Sequence, residues 1–242
     1  MLEIIDMHCH ILPGLDDGSE TEEMSLAMIG QAYKRGVRGL IATPHASPLF
    51  QSTSTETIRR MCRVLGQKAS GMLNTEFPIY PGQEIFATSE NLELLEQGKL
   101  LTLADSRYVL LELQPSAAFM DLFRVMRTVR NFGCIPVLAH VERYRVLYHN
   151  MEHLEELEYA GTLFQMNSHS LEGGLLDEKA HWCRELVKKQ KIQFISSDMH
   201  NLQDRGPIGE RAVNWITQKL PAGYGRALLA GNARDLLNIE AK

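Results

Sequence analysis

The sequence predicts a single α/β domain over residues 1–242, built as a barrel of parallel strands with helices packed around it. Three observations carry that expectation. The 242 residues run without a Gly/Ser/Pro-rich linker, a low-complexity tract or a fixed-period repeat, at a length where α/β barrels stay in one piece. Seven short apolar segments alternate with segments of helical period, the pattern of repeated βα units. Most of these apolar segments end in histidines or carboxylates, and the C-terminal strand ends are where such barrels carry their chemistry.

Taken in order, the first strand is Ile4-Ile5-Asp6-Met7-His8-Cys9-His10. Alternation along a strand puts His8 and His10 side by side on one face, with Met7 and Cys9 turned away. A turn-rich loop, Ile11 to Gly18, follows close to that pair. Ser19 with Glu22 reads as a capping box, and Met24, Ala27, Met28 and Ala32 form an apolar helical stripe ending near Gly36. The strand Gly39–Thr43 stops at Pro44-His45. A polar loop from Ala46 to Ser54 carries Phe50, and Thr53 with Glu56 is expected to cap a helix running to about Gly71. Phe77–Gly82 leads into a short strand at Gln83-Glu84. Asn91–Gln97 reads as a short polar helix. Tyr108–Leu113 is an apolar strand with Glu112 buried near its end, costly unless a cation or donor compensates it. The helix Phe119–Phe132 keeps Arg124, Arg127 and Arg130 on its wet side. The strand Cys134–Ala139 ends in His140-Val141-Glu142-Arg143-Tyr144. A helix starts near Asn150, with His149 and His153 read as exposed. The sixth strand, Thr162–Asn167, precedes Ser168-His169-Ser170. A helix around Lys179–Gln190 feeds the last strand, Gln193–Ser197, which ends in Asp198-Met199-His200. Ala212, Trp215 and Ile216 face inward on the next helix. The tail from Tyr224 to Ile239 is expected to be helical and packed outside.

Composition excludes several functions. With 25 Lys+Arg against 30 Asp+Glu the formal charge is -5, and no basic stripe offers a grip on nucleic-acid phosphates. No apolar run reaches membrane-spanning length, and with no positively charged n-region before an apolar run no signal peptide is expected. Cys9, Cys62, Cys134 and Cys183 show no C-x-x-C spacing and read as reduced thiols of a cytoplasmic protein.

The strand ends together place His8, His10, Asp17, His45, Glu84, Glu112, His140, Asp198 and His200 on one face. Five of the chain's nine histidines fall there, which scattered surface histidines would not give. A bare His-x-His is unspecific, but nitrogen and carboxylate donors from many strand ends form one constellation. Nine ligands exceed what one ion takes, so two or three divalent cations are expected. Against four carboxylates, three dications leave a mouth of net charge about +2, which suits a phosphate ester.

In order, DMHCH, the DDG loop, TPH, GQEI, LEL, AHVERY and SDMHN resemble the polymerase-and-histidinol-phosphatase (PHP) superfamily. The DDG after HILPGL, the AHVERY block and SDMHNLQDR are most similar to its bacterial capsule-associated tyrosine phosphatase branch, over Ile5 to about Asp235. The resemblance implies a distorted (β/α)7 barrel, usually holding manganese, with iron, zinc and magnesium as alternatives. It implies removal of phosphate from tyrosines of bacterial tyrosine kinases that control capsular and exopolysaccharide synthesis. It also implies His8, His10, Glu84 and Asp198 around one metal, and a bridging Glu84 with Glu112 and His140 around a second. Asp17, His45 and His200 match the third. Asp16 stands behind them. Arg143 and Arg205 match phosphate-clamping positions and, with Asp198, stand nearest the chemistry.

A separate check concerns the nucleophile. Thiol-based tyrosine phosphatases need Cys and Arg six positions apart, but the residues six after the four cysteines are Leu15, Lys68, His140 and Lys189. The attack is therefore expected from metal-activated hydroxide. A phenol has a pKa of about 10, so its phenolate leaves with little proton assistance; His45 and His200 are the candidates to give it. Two other readings compete: a PHP phosphatase for a small phosphomonoester such as histidinol phosphate, and a non-catalytic module that docks the kinase. No sequence feature demands a homo-oligomer.

Overall fold

In a computed structural model that describes residues 3–50, 53–174 and 176–238, every strand pair is parallel. The first strand, β1 (Ile4–Cys9), leads through α1 (Glu22–Lys34) to β2 (Val37–Ala42) and the two-residue β3 (His45–Ala46). After α2 (Thr55–Leu73) come β4 (Ile79–Pro81), β5 (Glu84–Phe86) and α3 (Ser89–Glu96). Then follow β6 (Tyr108–Glu112), α4 (Phe119–Asn131), β7 (Ile135–Leu138) and α5 (Met151–Tyr159). The chain continues with β8 (Leu163–Asn167), α6 (Glu178–Lys188), β9 (Phe194–Ser196) and α7 (Glu210–Lys219). It ends in α8 (Ala222–Arg226), a π-helical turn at Ala227–Gly231, and α9 (Asn232–Leu237). Ile239, the expected end of the tail, lies outside the described residues.

Strand order is β1-β2-β4 in one ladder and β3-β5-β6-β7-β8-β9 in the other. The division is a tear within two runs. Pro44, which has no N–H, separates β2 from β3, and Gly82 separates β4 from β5. A Cβ at Gly82 would stand 3.1 Å from Ile41 Cγ2 and 3.3 Å from the Ala42 carbonyl, so the neighbouring run passes too close for a side chain there. Beyond β9, Asp198 N donates to the His8 carbonyl (3.0 Å) and His10 N to the Met199 carbonyl (2.9 Å). The parallel sheet therefore curls until its last run reaches its first.

Two apolar clusters fill the layers. One lies between strands and helices and takes Cys9, Met28, Leu40, Leu111, Leu138 and Leu186, among others. The second takes the alternate strand positions, Ile5, Met7, Ile41, Leu110, Val137 and Phe194, with Ala230, Ala233 and Leu236 of the tail. The tail is thus helical as expected, yet it packs on the inner face of the sheet and not outside. Small residues at 230 and 233 let its backbone approach, and Leu236 fills the remaining space.

Several local expectations are corrected. Thr21, not Ser19, caps α1, its hydroxyl accepting from Met24 N, while Ser19 donates to the Thr21 carbonyl. The buried stripe of α1 is Ser25, Met28, Ile29 and Ala32, and Ala27 is exposed. A polar Ser25 is tolerated there because its hydroxyl bonds Ser19 Oγ at 2.8 Å. Ser54, not Thr53, caps α2. His153 is half-buried, stacked on Phe119 at 4.0 Å and bonded to the Val146 carbonyl, where an exposed residue was expected. Met7 and Cys9, expected on one face, part: Met7 lies with Ile5 in the inner cluster and Cys9 in the outer one, because β1 carries one extra residue between Asp6 and Cys9 relative to Leu40 and Ala42 of β2. That bulge turns Cys9 away from the face of Met7 while His8 and His10 still converge, their Nε2 atoms 3.3 Å apart.

Two substitutions check this packing. Leu236→Ala is expected to lower unfolding free energy in urea by about 2–5 kcal/mol, a change under about 1 kcal/mol placing the tail outside the core. At Gly18 a Cβ would lie 2.3 Å from the His10 carbonyl. Gly18→Ala is therefore expected to cost about 1–3 kcal/mol in the same assay, and an unchanged midpoint would contradict the close approach.

Candidate metal centre

Strand ends bring all nine candidate ligands to one mouth. His8 and His10 leave β1 fully buried; His45 pairs in register with Glu84 across β3 and β5. Glu112 ends β6 opposite Phe86. His140 follows β7, and Asp198 and His200 follow β9. His140 (φ 52°) and Asp198 (φ 55°) both occupy left-handed backbone, which side-chain-bearing residues adopt at a cost. Each is held there by a bond to its own backbone N–H, His140 N donating to Gln165 Oε1 (2.9 Å) and Asp198 N to the His8 carbonyl. The strained turns aim both side chains back over the strand ends.

The centre of the cluster is Glu84. Its Oε1 lies 2.9 Å from His140 Nε2. Its Oε2 is buried, accepts no hydrogen bond, and lies 3.3, 3.2 and 3.1 Å from nitrogens of His8, His10 and His45. Asp198 Oδ1 stands 3.6, 3.5 and 3.5 Å from nitrogens of His8, His10 and His200. Asp17, exposed at the rim, places Oδ1 3.4 Å from His45 Nε2 and 3.3 Å from His200 Nε2. Four sets of donor atoms converge closely enough to share a cation: His8, His10 and Asp198; His8, Glu84 and His140; His45, Glu84 and Glu112; and His10, Asp17, His45 and His200. Glu112 thus groups with His45 and Glu84, and His10 adds to the set of Asp17, His45 and His200.

Behind the donors, a second row of side chains fixes which nitrogen points inward. His10 Nδ1 contacts Asp16 Oδ2 at 2.7 Å, and the same oxygen accepts from His45 N. His8 Nδ1 lies 3.3 Å from Gln165 Oε1, His140 Nδ1 lies 2.9 Å from Asn167 Oδ1, and His200 Nδ1 lies 2.8 Å from the Asp198 carbonyl. With Nδ1 engaged, each of these four rings presents Nε2 to the mouth. His200 Nε2 is buried and has no hydrogen-bond partner. Asn167 also donates Nδ2 to Asp198 Oδ2 at 2.9 Å. Gln165 and Asn167 escaped the sequence reading. Their signal was present, since Gln165-x-Asn167 on the apolar β8 repeats the alternation of His8-x-His10.

Charge follows from this geometry. Burial pushes the Glu84 carboxyl up, but the neighbouring His8 and His140 hold it well below the ordinary carboxylate range. Asp198 is held down against burial by His140, His8 and His10. Burial opposes charge on His10 and His140, yet Asp16 and Glu84 lift the first to about 10, and Asp198 and Glu84 the second to about 9. Burial and Glu84 raise Glu112. Buried anions of this density demand positive charge. Neutral imidazoles and carboxylates around shared cations meet that demand without protonating the nitrogens, so the donor set fits divalent metal ions.

The arginines sit at the edge of the mouth. Arg143 Nη2 donates to Asp198 Oδ2 at 2.9 Å, and its Nη1 is 4.0 Å from Glu112 Oε1. Arg143 therefore pairs with these two acids and not with its neighbour Glu142, which bonds Asn167 N and Ser170 Oγ. Arg205 reaches Asp17 Oδ2 at 3.2 Å and Asp198 Oδ2 at 3.4 Å. His169 lies beyond Arg143, on a cavity shared with Lys179. His149 is exposed and away from the cluster. All four cysteines are free thiols, Cys9 among them, and burial pushes that thiol far above its usual range. A buried neutral thiol is no nucleophile.

Known proteins resemble this chain along nearly its whole length. Tyrosine-protein phosphatase CpsB of Streptococcus pneumoniae is 30% identical over 239 residues, covering 97% of this chain and 98% of the relative. Tyrosine-protein phosphatase YwqE of Bacillus subtilis (strain 168) is 32% identical over 236 residues, covering 97% and 91%. A crystal structure from a study of B. subtilis YwqE and S. pneumoniae CpsB, described as unique metal-dependent tyrosine phosphatases, superposes with a TM-score of 0.87 at 30% identity. It covers 98% of this chain and 96% of its own. Family-level comparison matches residues 4–238, so this chain belongs to the capsular polysaccharide synthesis CpsB/CapC family.

Proposed function

We propose that this protein is a metal-dependent protein-tyrosine phosphatase. The observation that carries the reading is Glu84 Oε2, a buried carboxylate oxygen without a hydrogen bond, ringed by nitrogens of three histidines beneath two arginines. Two or three divalent cations, manganese first among them, would be held by His8, His10, Glu84 and Asp198, by Glu84, Glu112 and His140, and by Asp17, His45 and His200. When bound, they supply Lewis-acid polarisation of a phosphoryl oxygen and a water acidified toward neutrality. The protein's own residues do the rest. Arg143 and Arg205 offer forked N–H donors to phosphoryl oxygens, competing with Asp198 for the same guanidinium protons. Asn167 and Asp16 hold His140 and His10 in the tautomers that leave Nε2 toward the mouth. The departing phenolate needs little protonation, so no dedicated acid is required.

The substrate in this reading is the phosphotyrosine-bearing tail of a bacterial tyrosine kinase, and the role is control of capsular or exopolysaccharide synthesis. The relatives' names support action on phosphotyrosine, and the family description supports the tie to capsular polysaccharide synthesis. The curled sheet is read as a distorted (β/α)7 barrel in one domain over residues 1–242, supported by the hydrogen bonds that join β1 to the segment after β9. No helix among the described residues is long and apolar enough to cross a membrane, and the free cysteines agree with a reducing cytoplasm.

Phosphate release from a tyrosine-phosphorylated kinase tail is the direct test. Release is expected with manganese, and its loss with chelator and in His140→Ala. Turnover surviving chelation would end the metal-dependent reading, whereas hydrolysis confined to histidinol phosphate would keep the site and change the substrate. A second expectation concerns the supporting row: Asn167→Ala is expected to weaken manganese binding about 10–100-fold by titration calorimetry. Unchanged affinity would show that Asn167 does not orient His140 and Asp198.

A further inference from the structure

The mouth is not uniform around its circumference. Over the ends of β7 and β9 it is walled by His140, Arg143 and Arg205, all polar. Over the three neighbouring runs β3, β5 and β6 the same cavity is walled by Leu49, Phe50, Phe86, Leu113 and Pro115, beyond the ligands His45, Glu84 and Glu112. These five come from neighbouring runs in the strand order, with Ser47 and Gln114 set among them, and make this side of the cavity mostly apolar. Phe50 lies parallel to His45, with ring centroids 5.2 Å apart and planes 2° from parallel. That stack fixes the aromatic ring relative to the ligand cluster. Leu49 is 85% exposed, next to Phe50 on the loop between β3 and α2.

We infer that this wall is the slot for the phenyl ring of the substrate, with Leu49 and Phe50 as the residues that select aryl over alkyl phosphate esters. The inference rests on the phosphatase reading above. A phosphate held at the arginines has its ester oxygen toward the open side of the cavity. A phenyl ring spans the depth from the buried floor to the exposed rim, laying its faces along Leu49, Phe50 and Pro115 and keeping the peptide backbone outside. An alkyl ester offers no such face, and would have to draw the polar backbone down against the apolar wall, leaving peptide N–H and C=O groups unpaired. A solvent-exposed leucine gains most from burial under a ligand, since it loses water contact only when the ring arrives.

The test measures binding of phenylphosphonate and methylphosphonate to the manganese-loaded protein by titration calorimetry, alongside kinetics on a phosphotyrosine peptide. The intact protein is expected to prefer phenylphosphonate by roughly 10-fold or more. Leu49→Ala is expected to reduce that preference about 3–5-fold and to raise KM for the peptide with little change in kcat, leaving methylphosphonate affinity within about twofold. Phe50→Ala is expected to reduce it further, and Phe50→Leu to restore part of it. Because Leu49 is 85% exposed, its variant separates ring binding from folding. An aryl preference that is absent, or identical in Leu49→Ala and the parent, overturns the slot. Should the preference exist and fall in the variants while no phosphotyrosine peptide is hydrolysed, the slot stands and the phosphatase reading fails.

Discussion

Everything in this fold answers to the burial of carboxylates at the strand ends. Glu84 is out of water entirely, Asp198 nearly so, and both carry charge. An isolated anion in that setting costs many kcal/mol, so partners have to be supplied from several directions at once. A parallel sheet curled on itself is one of few architectures that can do so. Its strand ends point the same way, and residues as far apart as His8, His45, His140 and His200 arrive at one oxygen-rich centre without a long loop to carry them.

Precision at that centre depends on groups that never reach it. Gln165 holds the His140 backbone and one nitrogen of His8, while Asn167 ties His140 to Asp198. Asp6 Oδ1 accepts from Ser197 N across the seam between the first and last runs. Beneath them lies the inner apolar cluster, completed by Ala230, Ala233 and Leu236 of the tail. The left-handed turns at His140 and Asp198 are tolerable because these contacts over-determine them. Strain and support are therefore two halves of one arrangement, and the ligand geometry is as rigid as the sheet that carries it.

Much of this was legible in the residues. Apolar runs alternate with helical stripes because each strand buries both faces, and histidines and acids punctuate the runs because only ligands or paired charges survive there. What stayed hidden is what depends on contact and not on pattern. A proline and a glycine tore two runs in half, and a single extra residue in β1 put Met7 and Cys9 in different clusters against simple alternation. Ser25 and Gln165 look like surface residues until their partners are seen. The tail reads as one more amphipathic helix, and nothing local distinguishes an outer face from an inner one. His153 was misread for the same reason, since its shelter is Phe119, thirty-four positions earlier.

The seam between β1 and the segment after β9 also has a kinetic meaning. Asp6 bonds a residue 191 positions away, and the His8 and His10 backbones bond the same late segment. During synthesis the first strand therefore leaves the ribosome long before its partner exists. Its buried faces wait, and the most non-local pairing is the last to form. His8 and His10 are made well before the late segment they pair with and are among the last to find their place.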